Sequence, residues 1–377
     1  MFNLYATVIR CDATSYNILD SRAEQALASA LSLLPAGMEH LSFSTSKEPF
    51  PTGVLAQMQQ LTYLELSHVM VQPTGTAADA HSRALQPLQA LTRLVDLQLD
   101  LKDEVWLHAA SLAGMAHLTR LQVKQCRVEP AALAGKTQLQ HLGLDRCSIP
   151  GGAAGVAALL SYLPPLQQLT HLSLPASLKW SADVEEGPPA AAYSALTASS
   201  KLQLLNLAVC MLPVSAGVLP PAGVWQHILP TGRQLPHLQV LDISGITLLS
   251  ATHRNPPAPP PECSRLVSCC PSLRLLNTHN LHWQYSAQLL VSLPGLSGLH
   301  TLYLSGTRCL EAVWQLTGLV RLDVSCHKFE ARQSLVQLEG LTQLKQLTAL
   351  KYIGWIEREL QCVDLTRKVS CTDRSVA

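Results

Sequence analysis

One spacing of apolar residues occurs twice between Leu112 and Ile149, and it constrains the fold more than any other feature of the sequence. The first copy reads Leu112, Met115, Leu118, Leu121, Val123, Cys126, Val128, and the second Leu133, Lys136, Leu139, Leu142, Leu144, Cys147, Ile149. Apolar residues three apart, followed by a pair two apart, predict a short strand and a tight turn in every copy. A chain built this way coils as a solenoid.

This pattern, L-x-x-L-x-L-x-x-C-x-L, resembles that of the leucine-rich repeat family. We call its second leucine the marker leucine. The marker leucines are Leu41, Leu64, Leu97, Leu121, Leu142, Leu172, Leu205, Leu241, Leu276, Leu302, Leu322 and Leu347. The resemblance implies an α/β solenoid, a leucine-rich repeat horseshoe, with a parallel sheet on the concave face and helices, turns and insertions on the convex face.

The fifth residue after each marker leucine lies at the turn, where Asn or Cys is usual in the family. Cysteine occupies it in three repeats, asparagine in none of the twelve, and seven others hold Val69, Lys102, Ser177, Ile246, Leu281, Thr307 and His327. Because Asn normally bonds turn backbone there, we expect buried turn amides to find other partners. We expect Cys126, Cys147 and Cys210 to be buried, reduced thiols, since stacked copies of one position satisfy disulfide geometry only in part.

The marker spacing also predicts the organisation of the chain. Residues 1–37 form a degenerate strand-helix cap, residues 38–356 a solenoid of about twelve repeats, and residues 357–377 a C-terminal cap and disordered tail. The longer spacings indicate insertions near residues 72–93, 179–200, 213–236 and 249–263. Within the first of these, the apolar spacing from Thr76 to Leu94 predicts an extra helix on the convex side.

Composition limits the classes of partner. The net charge is +1 and charged residues make up 14% of the chain, so no long-range field favours nucleic acid or an anionic membrane. No apolar run reaches the length of a membrane span, and the N-terminus lacks a signal-peptide pattern. With eleven cysteines read as reduced thiols, we expect a cytoplasmic protein. We also expect a monomer.

Chemical motifs are weak. Gly135-Lys136-Thr137 resembles the end of a phosphate-binding loop, but Pro130 stands where that motif needs glycine. Cys263, Cys269, Cys270, His279 and His282 suggest zinc, although their spacing departs from that of structural zinc sites. The sequence contains neither a Gly-x-Ser-x-Gly nor a His-Glu-x-x-His motif. We therefore predict no enzyme activity, no cofactor and no metal.

Residues that flank the marker leucines should point away from the core and line the concave face. Acidic and basic residues lie side by side there, and a less polar section follows. The predicted partner-binding residues are Tyr63, Glu65, Asp96, Arg120, Gln122, Lys124, His141, Asp145, Leu204, Val240, Asp242, Leu275, Asn277, Tyr303, Arg321 and Asp323. Gln98, Asp100 and His171 are predicted to share this face.

The function predicted from this surface is a non-enzymatic scaffold that binds a protein partner on the concave face. One alternative is the substrate-recognition part of a ubiquitin-ligase or immune-receptor assembly. Another follows from a resemblance to green-algal cytosolic leucine-rich repeat proteins, some of them associated with the ciliary axoneme. Residues 254–260, from Arg254 to Pro260, also match segments bound by proline-reading domains, and a stiff linker is the alternative there.

Overall fold

The structure is a computed structural model. It describes residues 9–13, 37–45, 49–71, 84–102, 105–179, 187–213, 222–249, 263–281, 293–305, 313–325, 344 and 346–353. The N-terminal helix, the C-terminal cap and residues 254–260 lie outside these ranges. Two compact units divide the chain, Met1–Ser181 and Ala182–Ala377, and each is described by itself. Within the described ranges, no helix is long and apolar enough to cross a membrane.

The first unit is built on parallel strands. They are β1 Ile9–Ala13, β2 His40–Thr45, β3 Pro49–Phe50, β4 Tyr63–Val71, β5 Asp96–Leu101, β6 Trp106–Leu107, β7 Arg120–Lys124, β8 Arg127–Val128, β9 His141–Asp145 and β10 His171–Ser173. The main sheet follows chain order, β1-β2-β4-β5-β7-β9-β10. Two short pairings accompany it, β3 with β4 and β6 with β8.

Neighbouring strands of this sheet pair with the marker leucines in register. Leu97 pairs with Leu121, Leu121 with Leu142, and Leu142 with Leu172. These leucines are at most 1% exposed, whereas the residues on either side of them are partly exposed. The period-two alternation therefore buries one face of the sheet and leaves the other open.

Short helices pack against the buried face and complete the core. They are the 3-10 helices Thr52–Gln57, Gln86–Ala90 and Pro130–Leu133 and the α-helices α1 Ala109–Leu112 and α2 Gly152–Ser161. Leu55, Leu88, Leu112 and Leu159 from these helices are fully buried. Of the extra helix predicted between residues 76 and 94, residues 84–94 are described, and they contain the 3-10 helix Gln86–Ala90.

The second unit repeats this plan with the sheet order β11-β13-β15-β16-β17-β18 and a small β12-β14 pair. Tyr193 and Trp225, on helices inside segments predicted as insertions, are at most 2% exposed and belong to the core. The strands are β11 Leu204–Asn206, β12 Met211–Pro213, β13 Val240–Asp242, β14 Thr247–Leu249, β15 Leu275–Asn277, β16 Thr301–Ser305, β17 Arg321–Ser325 and β18 Ala349–Ile353. The helices are the 3-10 helices Ala190–Thr197, Leu293–Gly295 and Val313–Gln315 and the α-helices α3 Ala222–Ile228 and α4 Cys263–Cys269.

Two register predictions are wrong. Leu350, not Leu347, pairs with Leu322, so Leu350 is the last marker leucine. Lys102 does not fill the turn position after Leu97, because Leu101 is buried there and pairs with Val69 across a register shift. Both errors arise where apolar residues permit two frames of the same spacing.

Seven of the described turns share one backbone feature, a left-handed residue four positions after the marker leucine. The angle φ lies between 51° and 61° at all of these residues, which are His68, Gln125, Arg146, Ala176, Val209, Gly245 and Asn280. Cys126, Cys147 and Cys210, one residue later, are buried thiols outside any disulfide bond, as predicted. Each described unit is thus an α/β solenoid of strand-turn-helix repeats.

Candidate functional site

The side chains that flank the marker leucines form what we call the sheet face of each unit. One row of the sheet face holds the residue before each marker leucine, and a second row holds the residue after it. In the first unit the first row runs His40, Tyr63, Asp96, Arg120, His141, His171. In the second unit it runs Leu204, Val240, Leu275, Thr301, Arg321, Ala349.

Glu65 is the centre of a hydrogen-bonded group on β2 and β4. The hydroxyls of Ser42, Tyr63 and Ser67 donate to its carboxylate at 2.8, 2.9 and 3.0 Å. Burial, followed by the bond to Glu65, raises the pKa of Tyr63 to about 12. Donors on β2 and β4 therefore already satisfy the Glu65 carboxylate.

Asp96 and Asp100, the acidic side chains of β5, also have partners on the sheet face. Gln98 Nε2 donates to Asp96 Oδ1 at 3.2 Å, and Lys124 Nζ lies 3.1 Å from Asp100 Oδ2. Burial raises the pKa of Asp96, while the Gln98 bond and the charge of Arg120 oppose that shift. Asp100 also lies 3.8 Å from His68 Nδ1.

A cationic and aromatic group follows on β7, β9 and β10. Arg120 pairs in register with His141, and His141 pairs with His171. The two imidazoles are stacked, with ring centroids 4.1 Å apart and an interplanar angle of 24°. Burial lowers the pKa of His141, and Arg120 lowers it further. Burial, then His141, then Arg120 lower the pKa of His171.

The first row of the second unit is apolar where it begins. Leu204, Val240 and Leu275 pair in register on adjacent strands and are each partly exposed. Further along the sheet, the Arg321 guanidinium carbon lies 5.9 Å from the centre of the Tyr303 ring, within the range of a cation–π contact. The second unit therefore presents an apolar row beside an aromatic and cationic pair.

Asn and Asp residues in the second row of this unit hold the turns. Asn206 Oδ1 accepts from the Ala208 amide at 2.9 Å, and Asp242 Oδ1 accepts from the Ser244 amide at 3.0 Å. Asn277 Oδ1 accepts from the His279 amide at 3.1 Å, and its Nδ2 donates to Asp242 Oδ2 at 3.0 Å. Asp242 and Asn277, predicted as partner-binding residues, thus have a structural role on the sheet face.

The remaining predicted partner-binding residues lie on the two sheet faces, and all of them except Asp323 are at least partly exposed. Gln122 lies against Gly143, and Asp145 Oδ1 is 3.9 Å from Arg146 Nε. Asp323, predicted to be accessible, is only 8% exposed. Sequence reasoning missed His40, Ser42, Ser67 and Asn206, although the alternation around Leu41, Leu64 and Leu205 already places all four outward.

Parts of the cysteine-histidine group and of the phosphate-loop candidate lie among the described residues. The described part of the chain holds no group of three or more His, Cys, Asp or Glu side chains able to bind a metal ion. Cys269 and Cys270 are buried, and burial raises the pKa of Cys270 to about 12. Lys136, from the phosphate-loop candidate, is buried and donates to the Leu112 carbonyl. Its amine is committed to the core.

Comparisons with known proteins return matches only among solved structures. No family model matches the chain, and no curated protein matches it. A leucine-rich repeat protein of Leptospira interrogans is 17% identical, with 90% of this chain and 94% of that chain covered and a TM-score of 0.45.

Two further matches are receptors. The leucine-rich repeat ectodomain of the Arabidopsis thaliana membrane receptor kinase GASSHO1/SCHENGEN3, solved in complex with CASPARIAN STRIP INTEGRITY FACTOR 2, is 16% identical with a TM-score of 0.44. A TDR receptor is 14% identical with a TM-score of 0.46. They cover 84% and 85% of this chain, which spans 39% and 49% of those two chains.

Proposed function

We propose that this chain, a leucine-rich repeat solenoid, is a non-enzymatic scaffold that binds a protein partner on its sheet face. One observation carries the proposal: Leu204, Val240 and Leu275 stand in register and partly exposed, and Tyr303 and Arg321 lie on the following strands. Protein interfaces bury an apolar centre inside a polar rim, and tyrosine and arginine are enriched among the residues that dominate binding.

The spacing of this row suits a polypeptide. Adjacent strands lie about 4.8 Å apart, so the row spans about 10 Å, the length of about three extended residues. Covering the row would remove three partly exposed aliphatic side chains from water. That burial is favourable, at about 25 cal/mol for each Å² of apolar surface. A partner with an extended apolar segment meets this requirement.

Replacing both Leu204 and Val240 by Asp tests the proposal. Two charges inside an apolar contact should raise the dissociation constant of a native partner by more than tenfold, about 1.4 kcal/mol or more. The thermal midpoint should change little, because both side chains are already partly exposed. The partner is first captured with the intact chain from its native cell, and its affinity is then measured by calorimetry.

A matched control adds the same charge on the helical side of the same unit. Gln226 on α3 and Ser264 on α4 are exposed, and Gln226→Asp with Ser264→Asp should leave affinity unchanged. Equal loss in both double variants would point to net charge as the cause and would count against the sheet face. Normal binding by the Leu204, Val240 variant, with loss on deletion of residues 255–261, would assign recognition to the proline-containing segment.

The finer alternatives differ in the partner, not in the surface. Recovery of ubiquitin-ligase adaptors, of immune-receptor components or of axonemal proteins with the intact chain would each select one of them. A cytoplasmic location and a monomeric state stay predictions, tested by microscopy of the tagged protein and by its mass in solution.

A further inference from the structure

We propose that Arg120, His141 and His171 form a binding site for an acidic side chain of a protein partner on the sheet face of the first unit. This inference rests on the proposed protein-binding function and adds the chemistry of one partner segment. We call these three residues the imidazole row.

The imidazole row is continuous and accessible. Arg120, His141 and His171 occupy the same position on three neighbouring strands, and each is partly exposed. The imidazoles stack at 4.1 Å, so the two rings form one surface beside the guanidinium. Strands about 4.8 Å apart give the row a length of about 10 Å, enough for a short extended segment.

Arg120 supplies a positive charge that its neighbours leave available. Within the described part of the chain, its guanidinium forms neither a hydrogen bond nor an ion pair within 4 Å. Nearby carboxylates have other donors: Ser42, Tyr63 and Ser67 for Glu65, Gln98 for Asp96, and Lys124 for Asp100. An incoming carboxylate can therefore bind the guanidinium without displacing an internal partner.

The hydrogen bonds of Thr170 define where His171 takes up a proton. The Thr170 hydroxyl donates its single hydrogen to the Gln140 carbonyl at 3.0 Å, and its oxygen lies 2.9 Å from His171 Nδ1. With the hydroxyl hydrogen on the Gln140 carbonyl, the compatible tautomer of His171 donates from Nδ1 to the Thr170 oxygen and carries no proton on Nε2 in the neutral ring. Protonation of His171 adds a proton from solvent at Nε2 and creates a new donor for a carboxylate.

Binding and protonation are therefore linked. Burial and the charge of Arg120 keep both imidazoles neutral at pH 7 by lowering their pKa values. A bound carboxylate favours the imidazolium form and raises both pKa values, so affinity should increase as pH falls from 7.5 to 5.5. The other ionisable groups on these and the neighbouring strands are Tyr63, Glu65 and His68 on β4, Asp96 and Asp100 on β5, Lys124 on β7 and Asp145 on β9.

A short acidic segment fits this surface better than a polyanion. Glu65, Asp96 and Asp100 on the neighbouring strands would repel a long run of negative charge such as nucleic acid. One or two partner carboxylates placed along the imidazole row avoid that repulsion. The net charge of the chain, +1, adds no general attraction for nucleic acid.

The test is a titration of the histidine ring signals by NMR on the full chain, with and without an acetylated, amidated peptide of alternating glutamate and leucine. The signals of His141 and His171 are assigned from His141→Gln and His171→Gln. We expect the peptide to raise both pKa values by about one unit and to bind about tenfold more tightly at pH 5.5 than at pH 7.5. A glutamine-leucine peptide should do neither.

Variants separate this site from general charge effects. Arg120→Gln should weaken binding of the glutamate peptide at both pH values. Arg120→Lys keeps the positive charge and should retain part of the affinity, and it serves as the second variant where Arg120→Gln is unstable. The double variant His141→Gln, His171→Gln should remove the pH dependence, whereas His117→Gln, at an exposed position in the same unit, should leave it intact. Retained pH dependence in the double histidine variant would overturn the proposal.

Two further outcomes would also overturn it. The site is not a carboxylate site if the glutamate peptide shifts neither pKa at millimolar concentration, or if inorganic phosphate or an RNA oligonucleotide shifts both and the peptide does not. The experiment leaves Leu204 and Val240 unchanged and needs no native partner. A failure here and a failure of the proposed function are therefore distinguishable.

Discussion

The two units close their turns with different side chains. In the last two turns of the first unit the turn residue itself bonds the neighbouring repeat: Ser177 Oγ accepts from the Cys147 amide and donates to the Leu144 carbonyl, both at 2.9 Å. Cys147 Sγ likewise donates to the Val123 carbonyl at 3.4 Å. In the second unit the turn positions after Leu205, Leu241 and Leu276 hold Cys210, Ile246 and Leu281, and the turn amides bond to Asn206, Asp242 and Asn277 from the sheet face.

This difference explains the lengths of the strands. In β11, β13 and β15 the amide two residues after Asn206, Asp242 or Asn277 bonds to that side chain, and each strand has three residues. In β7 and β9 no such side chain competes, and each strand has five. β10 also has three residues, because Pro175 has no amide hydrogen to continue the ladder.

The choice of turn partner also decides what the sheet face presents. Where Asn or Asp holds the turn, the second row is committed to structure and only the first row remains for a partner. In the first unit, β7 and β9 have no such turn bond from the second row and present charged groups and histidines, whereas the second unit presents Leu204, Val240 and Leu275 in its first row. The repeats share a core pattern and differ in which positions remain free for recognition.

The largest expected effect tests whether the core is equivalent in the two units. Leu142 and Leu241 are marker leucines, each 1% exposed. Leu142→Ala and Leu241→Ala should each lower the free energy of unfolding by about 2 to 5 kcal/mol, because each leaves a cavity that neighbours fill only partly. Chemical denaturation measures both, and His141→Ala, one residue away on the sheet face, should cost under about 0.5 kcal/mol.

Similar costs for Leu142→Ala and Leu241→Ala would locate the difference between the units in their turns. A much smaller cost for Leu241→Ala would show that the second unit tolerates the loss of a core side chain, and the two cores would then not be equivalent. A cost for His141→Ala equal to that of Leu142→Ala would contradict the strand register.

Leucine spacing predicted the core well, because alternate residues of a strand face the same side of the sheet and the marker leucines keep that alternation. The marker leucines from Leu41 to Leu322 lie in the predicted strands, and only the last was assigned in the wrong frame. There, Leu344, Leu347 and Leu350 are each three apart, so spacing permits two registers and only strand pairing selects one. Lys102 failed for a related reason, since the turn after Leu97 is one residue shorter than its neighbours.

The turn partners were not predictable from spacing alone. An Asn or Asp beside a marker leucine reads as an exposed strand residue, and its alternative role depends on the backbone two residues later. Asn206, Asp242 and Asn277 share that position, a signal visible only when the repeats are aligned. The stacking of His141 on His171 likewise needs the pairing of β9 with β10, although each residue was predicted on the same face.

A smaller effect should separate the two ways of closing a turn. Ser177→Ala removes a buried acceptor from the Cys147 amide and should lower the free energy of unfolding by about 1 to 3 kcal/mol. Asn206→Ala removes a bond at the partly exposed Ala208, where water can replace the lost oxygen, so about 0.5 to 1.5 kcal/mol is expected. Denaturation curves of the two variants measure the difference.

Ser177→Cys is the matched variant for the first unit. Cysteine fills this position in the two preceding repeats, as Cys126 and Cys147, and its sulfur can still bond turn backbone. It should therefore cost less than alanine. Equal costs for the two variants would mean that the hydroxyl bonds contribute little, and a larger loss for Asn206→Ala would reverse the proposed order of the two turns.

The smallest expected change in stability concerns the position six residues before the marker leucine, where each unit carries a buried polar residue. Lys136 is 4% exposed in the first unit, and Ser199 is 4% exposed in the second. Met115 fills the Lys136 slot in the preceding repeat and is fully buried. Lys136→Met should therefore raise the free energy of unfolding by about 1 kcal/mol at pH 7, because it removes the desolvation of an ammonium group.

The pH dependence of this stabilisation has a definite sign. Burial lowers the pKa of Lys136 below its ordinary value, so between the folded and unfolded pKa values the unfolded chain binds more protons. The wild type should gain stability as pH rises towards about 10, and the advantage of Lys136→Met should shrink over that window. Denaturation of both proteins at several pH values gives the difference between their free energies of unfolding, in which the contributions of groups that titrate equally in both proteins cancel. A lower stability of Lys136→Met at pH 7 would instead mean that the Lys136 bond to the Leu112 carbonyl outweighs the desolvation of the amine.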